Sequence, residues 1–147
     1  MQQHLYKKEA KMLQGSCMCG GVTYNINQHI DKISHCHCTT CRKAHGSAFS
    51  SVAMVKIDCF DITSGKELLK GYASSPDKIR YFCCNCGSQI YAHREGQNHY
   101  IFRMGTLDND PNIKPSQHIW VSLKAPWYDI DCDGKLKQFE TWSDVGI

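Results

Sequence analysis

The sequence predicts a mainly β fold clipped together by metal. Short runs of alternating apolar residues are separated by loops rich in turn formers, the signature of a β-dominated chain. Ten cysteines stand in 147 residues, and most fall into C-x-C and C-x-x-C clusters rather than being spread along the chain. No stretch approaches the roughly eighteen consecutive apolar residues of a membrane span, so no membrane partner is expected.

Residues 1–12, inside the opening MQQHLYKKEAKMLQ, are polar and lysine-rich with no apolar run behind them. They read as a short tail rather than a secretory signal, which places the chain in the cytoplasm. In CGGVTYNI (19–26) the alternation puts Val22, Tyr24 and Ile26 on one strand face. SAFSSVAMVKI (47–57) is a partly buried strand, followed by a turn at Ser64 and Gly65. DKIRYFCCNCGSQIYAHRE (77–95) reads as strand, cysteine knuckle, strand. HYIFRMG (99–105) and HIWV (118–121) supply further strands, and in the latter His118 and Trp120 alternate onto one face. LDNDPNIKPSQ (107–117), with two prolines, is an ordered surface loop. Helical turns are expected near 39–45 and within 107–117. Nothing marks a linker, so residues 1–147 are read as one zinc-binding domain.

Without a secretory segment, disulfides are disfavoured, and the clustering suits metal ligation instead. The formal charge of +3 counts every cysteine as neutral. Seven thiolates on two zinc ions would bring the total near zero, which argues against a nucleic-acid partner.

Two constellations stand out. Cys17 and Cys19, with Cys83 and Cys86, form two paired, glycine-flanked turns. Gly87 and the Gly20–Gly21 pair allow the tight backbone such knuckles need, and four thiolates make a closed, structural zinc site. Cys36, Cys38 and Cys41 form C-x-C-x-x-C with only three ligands. Three protein ligands and a vacancy are the pattern of a catalytic zinc, and a thiol entering the vacancy loses its proton readily beside the ion. The alternative is closure by a histidine. His35 and His37 are out of phase in an extended segment, with His37 facing away from its flanking cysteines, whereas His45, His93 or His118 remain available through folding. A third reading is a redox role for the three thiols. Cys59, Cys84 and Cys132 are taken as bystanders.

Taken together, GSCMCGGVTY (15–24), CHCTTCRKAHGS (36–47), RYFCCNCGSQIY (80–91), GTLDNDP (105–111) and HIWVSLKAPWYDI (118–130) resemble the glutathione-dependent formaldehyde-activating enzyme family, which has the Mss4-like fold and includes the centromere protein V group. The resemblance implies small antiparallel sheets gripping two zinc sites. Cys17, Cys19, Cys83 and Cys86 would hold the structural ion, and Cys36, Cys38 and Cys41 the catalytic one. It further implies a carbon–sulfur lyase that joins formaldehyde to glutathione as S-hydroxymethylglutathione. The tail departs from the family pattern: Lys137 stands where proline is usual, leaving Phe139 as the candidate buried aromatic.

A glutathione-like thiol would need cationic partners for its carboxylates. Arg42 and Lys43 follow Cys41 directly, and Arg42 offers a bidentate fork. Trp127 and Tyr128 would either wall the pocket or belong to the core. Ser47 would either donate near the second metal or cap a turn, and Arg80 either brace the knuckle or pair within the core. No residue stands out as a proton donor. The competing function is a zinc-stabilised protein-binding module without catalysis.

Overall fold

The computed structural model describes residues 12–130 and 134–143. The polar tail, apart from Met12, and the bystander Cys132 lie outside the described residues. Eleven strands and one short helix make up the described fold: β1 (Leu13–Ser16), β2 (Thr23–Ile26), β3 (Ser34–Cys36), α1 (Thr39–His45), β4 (Ser50–Lys56), β5 (Phe60–Ser64), β6 (Leu69–Ser75), β7 (Lys78–Cys83), β8 (Gln89–Arg94), β9 (His99–Arg103), β10 (Gln117–Ile119) and β11 (Lys137–Gln138). Among the described residues no helix is long and apolar enough to cross a membrane.

The strands form two sheets. One has three strands in the order β1-β2-β5, and the other eight, in the order β11-β10-β3-β4-β9-β8-β7-β6. This is one long sheet and one small one, where several small antiparallel sheets were expected. The long sheet arises because β4 accepts β3 on one edge and β9 on the other, both antiparallel. Its far end is mixed, since β10 lies parallel to both β3 and β11.

The alternation read in 19–26 is realised in β2, with Val22, Tyr24 and Ile26 all buried. They pack with Val55, Phe60, Ile90 and Phe102 into the main core between the two sheets. Tyr24 stacks on Phe60 with ring centroids 4.8 Å apart. Each buried side chain of this size contributes about 2 kcal/mol through loss of apolar surface from water. A smaller second cluster contains Cys36, Cys41, Val52, Ile101 and Ile119, with Trp120 and Phe139 packed against it. Phe139 is thus a partly buried aromatic, and Lys137 is accommodated in an exposed edge strand, where a side chain is free to face water.

A helical turn forms at 39–45 as α1, but residues 107–117 contain none; a single 3-10 turn precedes them at Met104–Thr106. The loop is instead tied to β1. Asp108 accepts from the Ser16 hydroxyl, and its N–H donates to the Gln14 carbonyl.

Candidate functional site

Both sulfur clusters are assembled at turns. In the first, the β1–β2 turn carries Cys17 and Cys19, and the β7–β8 turn carries Cys83 and Cys86. The Cys17 carbonyl accepts from the Gly20 N–H at 3.0 Å, and the Cys83 carbonyl from the Gly87 N–H at 2.8 Å. Gly20 (φ 75°) and Gly87 (φ 80°) occupy the left-handed region, where an L side chain is strained. The Met18 N–H donates to the Ser88 hydroxyl, joining the two knuckles. Cys17 and Cys19 sulfurs are 3.5 Å apart, and Cys19 and Cys83 sulfurs 3.8 Å. A tetrahedron with metal–sulfur arms of about 2.3 Å has edges of about 3.8 Å, so the spacing fits a zinc tetrathiolate and is far too long for a disulfide. The bare thiols are uneven. Burial pushes Cys83 up to about 11, while the adjacent Ser88 hydroxyl holds Cys86 down at about 5. A divalent cation among them removes that imbalance by favouring the thiolate everywhere.

The second cluster is built by β3 and the start of α1. Cys36 ends β3, Cys38 caps α1, and the Cys41 N–H donates to the Cys38 sulfur at 3.3 Å. The three sulfurs lie within 4.8 Å of one another, and among the described residues no fourth cysteine, histidine or carboxylate joins them. Cys36 and Cys41 are buried. Hydrogen bonding with Cys38 and Cys41 pushes the Cys36 thiol up, and accepting from Cys36 and Cys38 pulls Cys41 down. Thiols sharing protons in this way form a donor set suited to a soft cation such as zinc.

His35, His37 and His118 stand together on the other side of β3. His35 Nδ1 is 2.9 Å from the Ser51 hydroxyl, and His37 Nε2 is 2.8 Å from His118 Nδ1. Phe49 packs between these rings, and Tyr128 closes the group at 5.7 Å from Phe49. Burial brings His35 and His37 down to about 4. His93 is remote, bonded to the Gln97 carbonyl. His45 is also brought down to about 4 by burial, with Arg103 and Cys41 among its electrostatic neighbours.

A cavity of about 250 Å³ opens onto Cys36, Cys38 and Cys41. Four cations line it, Lys78 and Arg80 from β7, Arg94 from β8 and Arg103 from β9, and among the described residues no carboxylate does. Arg80, left undecided by the sequence, neither braces the knuckle nor, among the described residues, pairs with an acid. Its Nη1 reaches to 3.9 Å from the Cys41 sulfur, and its Nε donates to the Ser74 hydroxyl. Arg103 is 4% exposed, and its Nε and Nη2 have no hydrogen-bond partner among the described residues. Burial lowers it to about 10 against the opposing pull of Cys41. Among the described residues, Arg94 is the one of the four matched by an acid, Asp77.

Arg42 lines neither this cavity nor the adjoining one; its Nε is buried without a hydrogen-bond partner among the described residues. Lys43 lines the adjoining cavity of about 540 Å³, which shares Thr39, Thr40, Ser74 and Arg80 with the first. Ser47 caps a turn by donating to the Phe49 carbonyl. Trp127 is 69% exposed and belongs to neither core nor cavity. Trp120 does not share the face of His118. Its left-handed backbone (φ 57°) ends the strand and turns the indole onto the cavity wall, edge-on to Trp142 at 5.6 Å. Residues 139–142 are held there by backbone bonds, Phe139 N–H to the His118 carbonyl and Trp120 N–H to the Thr141 carbonyl. The tail segment therefore does supply a wall.

Two knuckles, a three-thiol pocket and the intervening strands are the elements that the sequence resemblance implied, and comparison with known proteins agrees. Residues 12–123 match the profile of the glutathione-dependent formaldehyde-activating enzyme family. The chain belongs to this family. Its topology is accordingly of the Mss4-like type, and the family is one associated with lyases. A relative is an uncharacterised lyase of Schizosaccharomyces pombe, 30% identical over 118 residues, covering 80% of this chain and 84% of that protein. The crystal structure of a Rhodobacter sphaeroides protein shares the fold, with a TM-score of 0.56 and 20% identity over 69% of this chain and 91% of that one.

Proposed function

We propose that this family member is a zinc-dependent carbon–sulfur lyase that adds a small aldehyde of the formaldehyde type to an anionic thiol such as glutathione, or removes it. The observation that carries the reading is the cavity, which meets the three-thiol cluster directly and is lined, among the described residues, by four cations without a carboxylate. Cys36, Cys38 and Cys41 would hold the catalytic ion, and Cys17, Cys19, Cys83 and Cys86 the structural one. Zinc held by three thiolates supplies a Lewis-acidic position that favours the thiolate form of an incoming sulfur.

The chain's own residues would do the rest. Arg80 and Arg103 draw substrate carboxylates by charge-assisted hydrogen bonds. Lys43, in the adjoining cavity beside Arg80, suits the far end of a tripeptide-sized thiol. Trp120 and Trp142 shield the reacting groups from water. Holding sulfur and aldehyde together in one cavity replaces a bimolecular encounter by a local one. Seven free thiolate ligands suit a reducing compartment such as the cytoplasm.

The test is the rate of S-hydroxymethyl adduct formation from glutathione and formaldehyde over the uncatalysed background, measured with metal content. The expected result is two zinc ions per wild-type chain and a rate that Cys38→Ser abolishes along with one of them. A rate that survives loss of that ion would sink the proposal.

A further inference from the structure

Any addition of a thiol to an aldehyde leaves an alkoxide that must be protonated, and the cavity walls are poor in proton donors. Among the described residues they consist of hydroxyls, guanidinium groups, indoles and aliphatic side chains besides the three thiols, with no histidine, carboxylate or phenol. Guanidinium groups hold their protons tightly, Arg103 staying near 10 even when lowered by burial, and serine and threonine hydroxyls are far too weakly acidic near neutral pH. One lining side chain is different. Lys78 starts β7 two residues before Arg80, so both point to the same side of the strand and both reach the cavity.

We propose that Lys78 is a catalytic residue, the acid that protonates the oxygen formed when sulfur attacks the aldehyde, and the base that removes that proton in the reverse direction. This inference rests on the thiol–aldehyde reading of the site.

The surroundings suit the role. Lys78 is paired across the strands with Arg94, and Arg80 on its own strand and Arg103 on β9 line the same cavity. Cys41 of α1 opposes these cations electrostatically, and His99 of β9 shares a neighbouring cavity with Lys78. The nearest acid in sequence, Asp77, is engaged by Arg94. Burial first, then Arg80 and Arg103, bring Lys78 down to about 8 from an ordinary 10.5. An ammonium group in this range is mostly charged at neutral pH and gives up its proton readily, the condition for an efficient general acid.

The step balances as follows. The thiol releases its proton to solvent on binding. Its sulfur forms a bond to the aldehyde carbon, and the carbonyl π pair moves to oxygen. The Lys78 ammonium transfers a proton to that oxygen, giving the S-hydroxymethyl product, and the resulting amine takes a proton from solvent. In reverse, the amine takes the hydroxyl proton, the carbon–sulfur bond breaks, and the aldehyde leaves.

Two measurements on the zinc-loaded full chain test this. Carbon NMR of lysine-labelled protein, assigned with Lys78→Met, reads the titration directly and needs no activity; an inflection near 8 is expected, and one near 10 overturns the proposal. Background-corrected rates with glutathione and formaldehyde read the role. In wild type, kcat for addition is expected to fall, and kcat for release to rise, as pH passes through about 8. Lys78→Arg keeps the charge without the transferable proton. It should retain KM, lose kcat on the order of 100-fold, and lose both pH limbs, with metal content and circular dichroism unchanged. Full kcat in Lys78→Arg would mean that only the charge matters and would overturn the proton-transfer role alone. A wild-type rate no greater than background would overturn the lyase reading and this role with it.

Discussion

The four-cysteine and three-cysteine clusters use the same side chain at the same short spacings, yet their surroundings differ. The first lies where two glycine knuckles meet, with the Val22 amide and the Ser88 hydroxyl at its sulfurs. The second lies at the base of a cavity, where a helix cap and a strand end supply three sulfurs and the remaining direction faces open space ringed by cations. On the proposed roles, ligand number alone would not separate a clip from a reaction centre; the environment of the missing direction would.

The largest effect expected from breaking this contrast is Cys83→Ser, at a fully buried position of the clip. Structural zinc contributes an apparent ~10 kcal/mol, comparable with the whole stability of a domain at about 5–15 kcal/mol. The variant should lose its cooperative thermal transition, as read by circular dichroism. Cys38→Ser, on the half-buried sulfur of the second cluster, should keep that transition while losing one metal ion and the thiol–aldehyde rate. If both substitutions unfold the chain alike, the two clusters are not different in kind.

Arg103→Met sharpens the comparison at the cavity wall. Replacing a buried, poorly paired ion by an apolar side chain of similar volume is often neutral or stabilising by about 1–4 kcal/mol. Thermal stability should therefore hold or rise. A lost charge-assisted hydrogen bond of about 2 kcal/mol should raise KM for an anionic thiol at least ~10-fold, and KM for a neutral thiol should change little.

The smallest effect concerns the histidine group behind the second cluster. His35 and His37 titrate near 4, below the ordinary 6.5, because burial disfavours their charged forms. Groups lowered in this sense contribute stability that is complete above about 6.5 and is lost as pH falls toward 4. Melting temperatures across that window should fall more steeply for wild type than for His35→Phe, whose ring carries no proton. Equal slopes would show that His35 carries none of the acid sensitivity.

The sulfur sets were legible because each pair is local: spacing in the chain is nearly spacing in space. The cavity was not. Lys78, Arg80, Arg94 and Arg103 come from three strands whose register no single segment reveals, and each reads alone as an ordinary surface cation. Arg42 and Lys43 adjoin Cys41 in sequence, but each helical step turns the side chain by about 100°, which carries them away from the direction Cys41 faces. Strand β6 escaped notice because none of its residues is buried, so it shows no apolar alternation, and Gly71 interrupts its pattern. Trp120 departed from simple alternation because a left-handed residue ends β10, an event that hydrophobic periodicity does not encode.

The clip spans a long stretch of chain. Cys19 and Cys83 are 64 positions apart, and Cys36, Cys38 and Cys41 all lie within the interval. An ion bound at the knuckles would thus close a ring that contains the other cluster and shrink the space its three sulfurs must search, since the entropy of closing a loop would already be spent. On the two-ion proposal, loading would be ordered by topology: under scarce metal the outer ring would close before the inner pocket filled, and the protein would be folded before it was competent.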